Sequence, residues 1–174
     1  IIKEIRSKGD SALVSYTKEL DGVSLTKKNI QIPAEDLVSA HKQVPADFRK
    51  ALSTGIKNVK KFQEKIRTSQ TSFKDTRFAR RINPVDSAGI YIPGGTGGET
   101  PLTSSVYMNV IPAVVAGVKY ISVCTPPGPD GAVSPYLLTA LAACGVEHVF
   151  RAGGAQAVAA MAYGTDTIPR VDMI

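Results

Sequence analysis

The sequence predicts an α/β protein, a helical N-terminal segment followed by a sheet of parallel strands alternating with helices. Three observations carry that prediction. From Ser87 onward, short apolar runs of strand type alternate with helical stretches at the spacing of βαβ units. Twelve of the 15 glycines lie beyond Asp86, where such units turn. Charge divides at the same place. Residues 1–86 hold 18 Lys/Arg against 10 Asp/Glu, a net of +8, and residues 87–174 hold 3 against 5, a net of −2. The chain is therefore divided into a helical, mixed segment over 1–86 and a parallel, Rossmann-like domain over 87–174. That second fold is incomplete, because its fourth strand has only begun at the last residue.

The elements follow in order. Ile1, Ile2 and Ile5, then Ala12, Leu13, Tyr16 and Leu20, mark two helical stripes, with Asp10 as N-cap of the second and Asp21-Gly22 as its stop. Ile30-Gln31-Ile32 alternates as a short strand. Pro33 and Pro45 each suit the first turn of a following helix, over 34–43 and 46–68. Residues 71–82 alternate loosely through Phe73, Phe78 and Ile82, as one extended strand or a hairpin. Residues 88–92 form a buried-type strand and 93–98 a loop, and Thr100-Pro101 reads as N-cap and first residue of a helix. Pro112 predicts a kink or a restart in that helix. A second strand covers 120–124, a rigid loop 126–131, and a helix 135–144 closed by Gly145. Residues 147–150 make a third strand, and the Ala-rich run after Gly153-Gly154 is a helix ending at Gly164. Val171 to Ile174 opens the fourth strand.

Composition excludes several classes. Of the 174 residues, 43% are hydrophobic and 21% charged, which is globular rather than disordered. No apolar run approaches the ~20 residues of a membrane span, and no basic-then-apolar leader is present. A soluble, cytoplasmic protein without a membrane partner is expected. Two cysteines, Cys124 and Cys144, and two distant histidines, His41 and His148, make neither a disulfide scaffold nor a zinc knuckle. The pI of about 9.4 is carried by Lys57, Lys60, Lys61, Lys65 and Arg67, then Lys74, Arg77, Arg80 and Arg81. Val59, Phe62 and Ile66 recur beneath those lysines at helical spacing, as on a solvated amphipathic helix, and no nucleic-acid motif accompanies them. Nucleic acid is not expected as a partner. Both ends read as cut through structure, so the chain is expected to be a piece of a longer protein.

Open α/β sheets bind ligands at the C-terminal ends of their strands. Two of those ends carry Gly-Gly: Tyr91-Ile92-Pro93-Gly94-Gly95 and Ala152-Gly153-Gly154-Ala155-Gln156. Glycine lets a ligand approach the backbone, and a helix N-terminus offers free N–H groups to phosphate. Tyr91 adds a ring face and a hydroxyl, and Gln156 an amide that both donates and accepts. Two readings stand at this point: a nucleotide site shared by the two loops, or glycines that only make tight βα turns. Gly95-Thr96-Gly97 followed by Thr100 is a defective GxGxxG, and the next strand ends Val123-Cys124-Thr125 with no acid for a ribose. An orthodox dinucleotide fingerprint is therefore disfavoured. Cys124 reads as buried filler, with no His or Lys in view to lower its pKa. No Ser-His-Asp, paired-carboxylate or phosphate-loop arrangement can be assembled, so no catalytic residue is assigned.

Residues 89–95 (GIYIPGG), 105–113 (SVYMNVIPA) and 153–165 (GGAQAVAAMAYGT), with 2–21 and its GDSAL element, resemble the histidinol dehydrogenase family. The resemblance runs through the whole chain in order. It implies NAD-dependent oxidation of L-histidinol through an aldehyde to L-histidine, the end of histidine biosynthesis, in a cytoplasmic homodimer that also uses zinc. Tyr91 and Gln156 fall on the family's NAD-contacting tyrosine and glutamine, and Pro93 lies beside the cofactor. Residues 1–86 become part of a first α/β domain. The resemblance places the zinc ligands, the substrate-binding residues and a Glu-His proton-transfer pair further on. A Gly-Pro-Gly-Asn segment, whose Asn also contacts NAD, should follow Ile174. The 174 residues alone are accordingly expected to be inactive. Two departures stand out: the loop at 96–100 is longer than the family's, and Asp130-Gly131-Ala132 is a small surface insertion. The alternatives are a related zinc/NAD enzyme of another small polar alcohol and a non-catalytic nucleotide-binding module.

Overall fold

Three short apolar runs bury one another as a parallel sheet, and the helices cover its two faces. The computed structural model describes residues 1–94 and 101–174. In chain order the described α-helices and strands are α1 (Ile2–Lys8), α2 (Asp10–Asp21), α3 (Ala34–Ser39), α4 (Ala46–Ser69), β1 (Phe73–Lys74), β2 (Ala79–Arg80), β3 (Ser87–Tyr91), α5 (Thr103–Ala116), β4 (Tyr120–Thr125), α6 (Pro135–Ala143), β5 (His148–Arg151) and α7 (Gly154–Tyr163), with short 3-10 turns at Lys27–Asn29 and Ala40–Gln43. The sheet has the order β3-β4-β5, all parallel, with Ile90 opposite Val123 and Cys124 opposite Phe150. After α7 the chain crosses to the free edge of β3, where Ala88 bridges Met173 in parallel and the Gly89 N–H donates to the Met173 carbonyl at 2.8 Å. The Ser87 amide and hydroxyl both donate to the Asp172 carboxylate, at 2.9 and 2.7 Å, and hold that return in place. Strand order thus reverses at β3, and that reversal is where doubly wound sheets open a crevice.

The period of two along each strand sorts the core. Ile90, Ile121, Val123 and Val149 face α3, α4, α5 and α6. Tyr91, Tyr120, Cys124 and Phe150 face α1, α2 and α7. Gly89 lies on the second face, and a Cβ there would stand 2.7 Å from Met161 Sδ and 3.0 Å from Val171 Cγ2. The missing side chain lets α7 lie close against β3.

Several elements differ from expectation for identifiable reasons. Asp10 opens α2 but does not cap it. Gly9, at φ 56 and ψ −130, takes the N-cap position, and the buried Asp10 carboxylate accepts the Thr167 hydroxyl at 2.6 Å. Residues 30–32 form no free strand but line the outer edge of β5. Ile32 N–H donates to Val149 at 2.8 Å, Arg151 N–H donates to Ile30 at 2.7 Å, and the Arg151 guanidinium reaches the Asn29 carbonyl at 2.9 Å. The pairing is antiparallel and covers an edge that would otherwise be open. The first helix of the second part begins at Thr103 and leaves Pro101 outside; Thr100 lies outside the described residues. Pro112 does not restart it. One i→i−4 bond is lost there, and the burial of Val106, Val110, Ile111 and Val115 along one face keeps the helix continuous. Residues 71–82 form a small exposed hairpin whose Phe73 and Phe78 rings meet edge-to-face at 5.7 Å. Helix α4 packs Phe48, Ile56 and Val59 on the core and turns its lysines to solvent. Among the described residues no helix is long and apolar enough to cross a membrane.

Candidate functional site

The C-terminal ends of β3, β4 and β5 meet at one rim. Tyr91 is the last residue of β3. Ile92 N–H still bonds the Cys124 carbonyl at 2.9 Å, and exposed Pro93 then leads to Gly94. Beyond β4 comes Pro126. Beyond β5, Ala152 N–H bonds the Thr125 carbonyl at 3.0 Å before Gly153 and Gly154 open α7. A Cβ on Gly94 would lie 2.9 Å from Pro126 Cγ, and one on Gly153 would lie 2.9 Å from Pro126 Cβ. Gly94 and Gly153 therefore both lie against Pro126, and neither has room for a side chain there. The Gly153 φ of −103 is ordinary, so its glycine serves space; the Gly154 φ of 54 also demands glycine for the turn.

Two residues singled out from the sequence are brought together here. The Gly154 N–H donates to the Tyr91 hydroxyl at 3.2 Å, so the ring of one loop satisfies one of the free amides at the start of α7. Gln156, in the first turn of α7, is 1% exposed. Its Oε1 is enclosed and has no hydrogen-bond partner among the described residues. A Cβ on Gly154 would stand 2.8 Å from that oxygen. A buried amide oxygen without a donor costs about 1–3 kcal/mol, so the fold keeps an acceptor waiting at the loop junction. Pro93 sits at the exposed start of the first loop. Gly95, Thr96, Gly97 and Thr100, which carry the defective fingerprint, lie outside the described residues.

Two further groups at this rim escaped the sequence reading. The Thr125 hydroxyl, at the end of β4, is buried and has no partner among the described residues. Asp21, the last residue of α2, reaches the same place: a Cβ on Gly153 would lie 3.1 and 3.2 Å from its two carboxylate oxygens. Its Oδ2 has no partner among the described residues, and burial pushes its carboxyl above the usual carboxylate range. A signal was present, since an anion in the last turn of a helix opposes the helix dipole. The sequence reading takes Asp21-Gly22 as the stop of α2 alone.

Cys124 and Cys144 are both free and buried, and burial pushes each thiol up to about 12. Neither is therefore a nucleophile. In the native protein at mildly alkaline pH, an aromatic disulfide reagent should release no thiolate signal on the timescale of minutes, and two equivalents after addition of denaturant. Fast reaction of either thiol in the native state would contradict this packing. His148 lies against the Tyr120 ring with centroids 4.7 Å apart, and the His41 Nδ1 faces the Val38 carbonyl at 2.6 Å. Among the described residues no three His, Cys, Asp or Glu side chains stand together as a metal site.

The fold defines an α/β protein with helices on both faces of a parallel sheet, whose strand order reverses at β3 and whose strands end together on one rim. Comparison with known proteins makes this specific. Residues 1–174 match the family model described as histidinol dehydrogenase. The histidinol dehydrogenase of Desulfotalea psychrophila is 44% identical over 179 aligned residues, covering 100% of this chain and 41% of that protein. That of Symbiobacterium thermophilum is 42% identical over 177, covering 100% and 40%. The crystal structure of histidinol dehydrogenase from Elizabethkingia anophelis superposes with a TM-score of 0.87 at 34% identity, covering 99% of this chain and 40% of that one. The chain belongs to the histidinol dehydrogenase family, and it spans about 40% of the length of these relatives.

Proposed function

We propose that this chain is the cofactor-holding part of a histidinol dehydrogenase, with Tyr91, Pro93 and Gln156 against NAD. The whole protein then oxidises L-histidinol through the aldehyde to L-histidine as a cytoplasmic homodimer. What supports the reading is the enclosed, unpartnered Gln156 Oε1 at the junction of two glycine loops, in a chain matched to the family from end to end. Bound NAD supplies the hydride acceptor. The protein's own groups bind and orient it. Gln156 accepts a hydrogen bond from a ligand hydroxyl or amide. Tyr91, its oxygen already taking the Gly154 N–H, keeps its own proton to donate and offers a ring edge. The remaining free amides of α7 face anionic oxygens, and the glycines let the backbone come close. This set holds the cofactor without the usual fingerprint, which suits a weak site.

The zinc that the family implies finds no ligand set among the described residues, so no step through it is assigned to this chain. In this reading the proton-transfer pair and the substrate ligands belong to the rest of the whole protein. A calorimetric titration of the 174-residue chain with NAD⁺ is expected to saturate in the high micromolar to millimolar range. The same chain given histidinol, zinc and NAD⁺ is expected to form no NADH. Absence of saturable NAD⁺ binding would overturn the cofactor reading. NADH formation would overturn the division of labour.

A further inference from the structure

We infer that Asp21 is the ribose-binding acid of this site: its carboxylate, carried to the rim by the end of α2, accepts the hydroxyls of the adenosine ribose and selects NAD⁺ over its 2′-phosphorylated form. The inference rests on the proposed cofactor reading. Dinucleotide folds place such an acid at the C-terminal end of the second strand. Here the second strand of the parallel sheet is β4, which ends at Thr125 and runs into Pro126 with no acid of its own. In space an acid does stand there. The point where a Gly153 Cβ would sit is 2.9 Å from Pro126 Cβ and 3.1 and 3.2 Å from the Asp21 oxygens, so the end of β4, the start of α7 and this carboxylate share one corner.

Three observations mark the carboxylate as built for a ligand. Its Oδ2 is enclosed and unpartnered, and no ion pair reaches it among the described residues. It ends a helix, where its charge opposes the dipole, and so contributes nothing favourable to α2. Position 153 carries glycine at an unstrained φ of −103, leaving open the space the carboxylate and Pro126 need. The chain beyond Asp21 is fixed to the loop after β4: buried Val23 lies against Gly131, whose Cβ would be 3.4 Å from Val23 Cγ1. A second, independent group points to the same ligand, the 1%-exposed Gln156 with its unpartnered Oε1 in the first turn of α7.

The chemistry selects the ribose. A carboxylate is an acceptor with two adjacent oxygens, and a vicinal diol offers two adjacent donors. A pyrophosphate offers only acceptors and is repelled. A phosphate on the 2′ oxygen removes one donor and adds charge at the same point. Burial raises the Asp21 carboxyl in the free protein, so donors from the diol relieve an existing penalty.

Calorimetric titrations of the protein and of Asp21→Asn with NAD⁺ and NADP⁺ test this. The unaltered protein is expected to bind NAD⁺ at least about tenfold more tightly than NADP⁺, and Asp21→Asn to lose about tenfold in NAD⁺ affinity, the size of one charge-assisted hydrogen bond. The preference should shrink to within about twofold in that variant, because the repulsion of the 2′-phosphate goes with the charge. Asp21→Asn should fold. A raised carboxyl stabilises below its unfolded pKa, and that contribution is lost as pH rises through the folded value, so at neutral pH the neutral amide is no worse. If melting shows it is destabilised, Asp21→Glu replaces it: it keeps the charge, and should still reject NADP⁺ while binding NAD⁺ less tightly. Undiminished NAD⁺ affinity with unchanged discrimination in Asp21→Asn overturns the inference while leaving the cofactor site standing. No NAD⁺ binding by the unaltered protein overturns both.

Discussion

Gln156→Leu is expected to make this protein more stable and to remove most of its NAD⁺ affinity. The side chain is 1% exposed, and its Oε1 has no partner among the described residues. Leucine fills nearly the same volume without carrying a carbonyl into the interior. Replacing a buried, unsatisfied polar group by an apolar one of similar shape is neutral to stabilising, and here the relief should be about 1 kcal/mol. For a chain of this size that raises Tm by about 2–4 °C. Binding moves the other way. A ligand donor that had been met by Oε1 is left buried and unpaired, which weakens affinity by about tenfold or more. Thermal melting and calorimetry on the same sample read the two effects. A fall of several degrees with unchanged NAD⁺ affinity would mean that Gln156 serves the fold alone. A rise in Tm with unchanged affinity would remove Gln156 from the site.

How much of this was legible beforehand depends on the range of the interaction. Ile90, Val123 and Val149 against Tyr91, Cys124 and Phe150 are sorted by a period of two, a local property, and the parallel sheet follows from it. In a parallel sheet every strand ends on the same rim, so Tyr91 and Gln156 could be placed together from topology alone before their geometry was known. Asp21 could not. Nothing within its own helix says that α2 packs beside α7 with its last residue over Gly153; that depends on the burial of Ile5, Leu13 and Met161 in one cluster far from one another in the chain. The same limit explains residues 30–32. Their alternation is correct for extended backbone, but the direction of pairing is chosen by the open edge of β5. Pro112 shows tertiary burial overriding a local breaker, since the buried face of its helix, through Val106, Val110, Ile111 and Val115, packs against α4, α6 and the sheet. The family was legible in part because two of its matching runs, 89–95 and 153–165, take in the glycine turns at the strand ends, where backbone shape and chemistry constrain the same residues.

Phe150→Ala should have the largest effect on stability of any single truncation in the sheet. Phe150 is 1% exposed, lies opposite Cys124 on β4, and faces Ile5, Leu13, Ile30, Met161 and Ile168 from α1, α2, α7 and the flanking loops. It is the largest of the fully buried side chains. Truncation removes the transfer energy of a ring and leaves a cavity that strands on one side and three helices on the other cannot collapse to fill. The expected loss is about 3–5 kcal/mol, a large part of the ~5–15 kcal/mol that holds a domain folded. With a urea slope of about 2 kcal/mol/M, the midpoint should fall by about 2 M. Phe150→Leu should lose no more than about half of that, because most of the volume remains. The face matters beyond stability. Helices α2 and α7 rest on this side of the sheet, and they carry Asp21 and Gln156 to the rim. Well below the melting point of the variant, its NAD⁺ affinity should therefore fall together with its stability. Val149→Ala, one residue away but facing α5 and α6, should lower stability and leave affinity unchanged. Equal losses of affinity in the two variants would mean that the site is not organised by the face on which α7 lies.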